Sequence, residues 1–164
     1  MYSLRMLGAI LLCGASLAMA APPPAPVLDL HFDRLTSALN LMSAADHKIV
    51  DESAQLIREG QYLGALARLS ALTHSNSDNS SLRILLGYVQ LQVGNLTGAL
   101  DEAKKAHDAP NGDSYRCYFL AKIAFLTGDK ITCRRELNHV KNAGDMPAEV
   151  RQLQSDLKQT KAKS

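Results

Sequence analysis

The sequence contains no tryptophan and only eight other aromatic residues, three Phe and five Tyr. Its core must therefore be built mostly from Leu and Ala. Charge of one sign is also missing: 18 Lys and Arg stand against 16 Asp and Glu, so there is no clustered basic footprint for DNA or RNA. Lys104-Lys105 and Arg134-Arg135 are isolated pairs that read as solvated faces. No GxSxG, P-loop or GxGxxG occurs. The five histidines, His31, His47, His74, His107 and His139, show neither HxxH nor HExxH spacing. The acidic neighbours Asp51-Glu52 and Asp101-Glu102 would point about 100° apart on a helix and cannot share a site. These absences point to a protein with no catalytic residue, no metal site and no cofactor, and nothing in the sequence reads as a strand.

The first 20 residues hold one charge, Arg5, followed by the apolar run Met6 to Leu12 and the small-residue ending Ala18-Met19-Ala20. That is the layout of a secretory signal cleaved after Ala20. The competing reading is a retained anchor, against which the run falls well short of the ~20 apolar residues that span a bilayer. Cys13 lies within the leader, and Leu12 stands where a lipoprotein acceptor motif wants a small residue. Residues 21–27 begin with APPPAP, a polyproline-type tether. From residue 28, Leu28, Phe32, Leu35, Leu39 and Met42 recur at steps of four and three, one side of a helix. That helix either packs on the helices C-terminal to it or forms a short dimerising seam.

Sliding the chain on itself by 34 residues superimposes Gly60, Gly94 and Gly128, each at the turn of a helical hairpin. In the middle unit Leu86-Gly87 is a large-small pair in the first helix, Gly94-Asn95 the turn, and Ala99 and Ala106 the small residues of the second helix. The first unit keeps Gly60, Gln61, Tyr62 and Ala65, with Glu52-Ser53 at the large-small pair and Leu72 at the last small position. The third keeps Leu120-Ala121 and Gly128-Asp129, with Cys133 and Val140 in the second helix. This pattern resembles the tetratricopeptide repeat. The resemblance implies an all-α, right-handed solenoid of three helix-turn-helix units, at about 46–79, 80–113 and 114–147, within one domain of residues 28–160.

Ser43-Ala-Ala-Asp46 offers a capping signal for the first unit. Helices are expected to run from there to about 59, then over about 62–73, 81–93, 96–107, 114–126 and 130–142. The connectors are HSNSDNS and APNGD. A last helix over about 147–160 begins at Pro147 and carries Val150, Leu153 and Leu157 on one stripe, as a capping helix should. Cys117 and Cys133 remain after the leader; exported chains can form disulfides. Their positions in an antiparallel hairpin favour two thiols, because Cys133 faces a residue near Ala124 or Phe125, ~10 Å along the helix from Cys117.

In arrays of this family the first helices line a concave groove. The resemblance puts Ile57, Arg58, Ile84, Tyr88, Leu91, Gln92, Tyr115, Tyr118, Lys122 and Phe125 there. Val50, Ala54, Ile84 and Tyr88 occupy the places where chaperone-tail-binding members carry a carboxylate clamp, so no such clamp is present. The expected function is non-catalytic: an exported, periplasmic or secreted scaffold that binds a protein or peptide partner in the groove, with Tyr88, Tyr118 and Lys122 facing outward. The alternative from another class is an accessory or metal-linked envelope enzyme using His47, His107 or the cysteines.

Overall fold

A computed structural model describes Leu35 and residues 42–110, 114–143 and 147–162. Over these residues the chain is helical throughout, with seven α-helices and no strand. They are α1 (Ala44–Arg58), α2 (Tyr62–Ser75), α3 (Ser80–Gln92), α4 (Leu96–Asp108), α5 (Ser114–Leu126), α6 (Lys130–Ala143) and α7 (Pro147–Ala162). Each packs on the next, α3 also touches α5, and α5 touches α7. Three hairpins, α1/α2, α3/α4 and α5/α6, therefore stack side by side, with α7 on the last. The leader, the proline tether and most of the helix expected from residue 28 lie outside the described residues. Of that helix Leu35 is seen buried in the core, and Met42 packs against the core's edge.

The hairpins share one turn, and its chemistry explains the period. Gly60, Gly94 and Gly128 have φ of 73°, 81° and 83° and are the residues with positive φ among those described. In each, the glycine N–H donates three residues back and the following N–H donates five back. The first turn bonds Gly60 to Ile57 at 3.1 Å and Gln61 to Leu56 at 2.8 Å. The second bonds Gly94 to Leu91 at 3.0 Å and Asn95 to Gln90 at 2.8 Å, and the third Gly128 to Phe125 at 3.1 Å and Asp129 to Ala124 at 2.8 Å. This is the Schellman closure, which satisfies the last carbonyls of a helix and needs the left-handed backbone that glycine adopts without strain.

The residue after the glycine then starts the second helix. The Asn95 side chain accepts from the Gly98 N–H at 3.0 Å, and Asp129 accepts from Thr132 at 3.0 Å. Gln61, at the same place in the first hairpin, makes no such cap. Ser43 caps α1 as its sequence signals, accepting from Asp46 at 3.1 Å, and Asn79 caps α3 by accepting from Leu82 at 3.1 Å.

Small side chains recur where the two helices of a hairpin cross. Ser53, Gly87 and Ala121 hold one position in the first helices and are all buried; Ala65, Ala99 and Cys133 hold the matching one in the second helices and are fully buried. Ser53, a departure from the large-small pattern by sequence, fits because its hydroxyl turns back to the Ile49 carbonyl at 2.7 Å. Larger residues such as Leu69, Leu82, Leu85, Leu120 and Leu137 are buried in one continuous core, which Val150, Leu153 and Leu157 of α7 join at the C-terminal side.

Candidate functional site

The 34-residue period sets equivalent positions on the first helices α1, α3 and α5, of which α3 touches α5 directly. Arg58 and Gln92 are one such pair, Tyr88 and Lys122 another, and Ile57, Leu91 and Phe125 a third series. Arg58 is exposed, and Tyr88, Gln92, Lys122 and Phe125 are partly exposed. These five, polar and aromatic, are the groove candidates that keep some exposed surface, with Tyr88 and Phe125 also packed against the core.

The other five groove candidates are covered. Ile57, Ile84 and Leu91 belong to the core, as do Tyr115 at 1 % and Tyr118 at 6 % exposure. The expectation that Tyr118 faces outward is therefore corrected: its ring packs at 6.1 Å between centroids from that of Tyr115. The cause is α5 itself. Its sequence SYRCYFLAKIAFL is apolar nearly all round, and a helix of that kind must be covered on several sides. Contacts with α3, α4, α6 and α7 do so. A single 100° core stripe, adequate for an edge helix, understates what a central one buries.

A second chemically capable group lies at the junction of the second and third hairpins. His107 near the end of α4, Cys117 in the first turn of α5, and Glu136 and His139 on α6 bring their ligand atoms within 4.8 Å of one another. Glu136 is fully buried. Its Oε1 accepts from Arg135 Nε at 2.7 Å. Its Oε2 makes no hydrogen bond, although His107 Nε2 lies 3.1 Å and His139 Nδ1 3.3 Å away. The nitrogens stand beside the oxygen at ion-pair distance without the alignment that a hydrogen bond requires.

His107 and Cys117 are candidates for metal chemistry by residue type alone; His47, on α1, is not in the group. Glu136 and His139 are the members that motif spacing misses. Their Glu-x-x-His spacing puts both on one face of α6, and that pattern, rather than HxxH, is the signal the sequence holds. Cys133 stays apart from this chemistry. It and Cys117 are thiols with no disulfide between them, and burial pushes the Cys133 thiol from 9.0 up to about 11, which keeps it protonated and inert.

No helix among the described residues is long and apolar enough to cross a membrane. No protein-family model matches the sequence, and neither does any curated protein.

Proposed function

We propose that this chain is a tetratricopeptide-like interaction module, exported by its N-terminal leader to the periplasm or beyond, where it binds a protein or peptide partner in an envelope assembly. The observation that supports this reading is that Arg58, Tyr88, Gln92, Lys122 and Phe125 keep exposed surface at repeat-related positions of the first helices. A surface repeated at the pitch of the array suits an extended segment, whose own residues repeat along its length. Aromatic and aliphatic parts supply contact area, and Arg58, Gln92 and Lys122 supply points of fixation. The family resemblance and the absence of catalytic motifs favour binding over turnover.

The test places a photo-crosslinking residue at Gln92, and in a parallel protein at Lys104, exposed on the second helix α4. Position 92 should capture one protein from envelope extract, position 104 should not, and Lys122→Glu should lower the purified partner's affinity. Equal capture from both positions would refute this surface as the binding face.

A further inference from the structure

The second and third hairpins carry a buried carboxylate at the same repeat position, Glu102 on α4 and Glu136 on α6. The second hairpin neutralises its carboxylate with protein cations. Arg83 Nη1 donates to Glu102 Oε2 at 2.8 Å, and Lys105 Nζ donates to Oε1 at 3.0 Å. Moved forward by the 34-residue period, Arg83 becomes Cys117 and Lys105 becomes His139. The third hairpin has kept the acid and replaced both cations with metal-ligand side chains. His107, from the end of the preceding hairpin, adds another imidazole to the same spot. A buried carboxylate still needs compensation, and the exposed Arg135 reaches only Oε1. Oε2, which makes no hydrogen bond, is the oxygen that faces the two imidazoles at 3.1 and 3.3 Å.

We propose that His107, Cys117, Glu136 and His139 form a four-coordinate zinc(II) site that fastens the second hairpin to the third. Two imidazole nitrogens, a thiolate and a carboxylate are a borderline donor set of the kind zinc takes in tetrahedral geometry. On binding, the Cys117 S–H bond breaks, its proton leaves to solvent and a zinc–sulfur bond forms, with no change of oxidation state. Thiolate and carboxylate together cancel the charge of the ion, which suits the full burial of Glu136. Zinc bonds of about 2.0–2.3 Å place tetrahedral donors roughly 3.3–3.8 Å apart. The observed span of at most 4.8 Å closes to this by side-chain rotation, which the exposed His139 and partly exposed Cys117 can make.

The surroundings are those of a held ligand set. His107 Nδ1 lies 3.0 Å from the Asp108 carboxylate, the kind of partner that carboxylates form behind metal-bound histidines, while Nε2 faces Glu136. Glu136 and His139 are one turn apart on α6. Four protein donors leave no open position, so the role is structural, a clamp across three consecutive helices. This inference stands independently of the groove.

The test titrates the chelator-treated full chain with zinc(II) and, separately, cobalt(II). Expected are one ion per chain, a melting temperature raised by zinc and lowered again by chelator, and a tetrahedral cobalt spectrum whose thiolate-to-cobalt absorption disappears in Cys117→Ser. His139→Ala, at an exposed position the fold tolerates, should weaken zinc binding at least about tenfold. His74→Ala, on an exposed site of α2, should leave it unchanged. Failure to bind either ion stoichiometrically would overturn the proposal, as would cobalt spectra and zinc affinities that are the same in the parent, Cys117→Ser and His139→Ala proteins.

Discussion

Gly87 of α3 lies against the ring of Phe119 of α5: a Cβ at position 87 would stand 3.1 Å from Cε1 and 3.3 Å from Cζ, with the Ala99 carbonyl oxygen of α4 at 3.4 Å. One residue without a side chain thus lets three helices from two hairpins meet. Gly87→Leu should lower stability by about 1–3 kcal/mol through overpacking, read as a shifted midpoint in denaturant unfolding. Adding Phe119→Ala should give a double variant less destabilised than the sum of the two single changes, a non-additive double-mutant cycle. Additive effects would place Gly87 away from Phe119.

The Arg83–Glu102 pair joins α3 to α4 with both side chains nearly buried. Removing one partner of such a pair leaves a charge without compensation, which costs more than the pair itself contributes. Lys105 remains to share the carboxylate, so Arg83→Met should cost about 2 kcal/mol, and Arg83→Met with Glu102→Leu should be the more stable of the two variants. Thermal unfolding of both proteins decides the order.

The cap at Asp129 makes stability depend on pH. Hydrogen bonds from the Thr132 backbone N–H and then its side chain hold the Asp129 carboxyl below its ordinary 3.8. A pKa lower in the folded than in the unfolded chain gives stability that is complete above the unfolded value and is lost as pH falls through the folded one. Asp129→Ala should therefore cost about 1 kcal/mol at neutral pH, and the gap from the parent should begin to narrow as pH falls through about 4 and shrink further toward the lowered folded value. Asp129→Asn, matching Asn95 in the middle hairpin, should keep the cap without the pH dependence. Urea midpoints measured between neutral and acid pH provide the check.

Tyr118 and Lys122, one turn apart on α5, should separate fold from binding. Tyr118→Ala opens a cavity under a ring that is 6 % exposed and should cost about 3–5 kcal/mol, as large aromatic truncations do. Lys122→Ala, at a partly exposed position, should change stability by no more than about 0.5 kcal/mol. A Tyr118→Ala protein that melts with the parent would return that ring to the surface.

The all-α hairpin array was legible in the sequence because its determinants are local. A glycine with φ near 80° ends a helix whatever surrounds it, and Asn95 and Asp129 cap the next helix through contacts three residues away. Recurring at a fixed period, these signals placed the helices to within about two residues, and the glycine turns told which helices form hairpins. Ser53 was less legible, because its fit depends on a hydroxyl folded back onto its own helix.

The rest was decided by neighbours that no local pattern names. Tyr115 and Tyr118 go inward because α5 is covered from four helices, and burial follows from how many partners a helix has, not from its own periodicity. His107, Cys117, Glu136 and His139 are likewise ordinary residues at uninformative separations along most of that span. They converge because stacking sets the end of α4, the start of α5 and the middle of α6 at one point, where a carboxylate oxygen without a hydrogen-bond partner meets three side chains able to bind a metal.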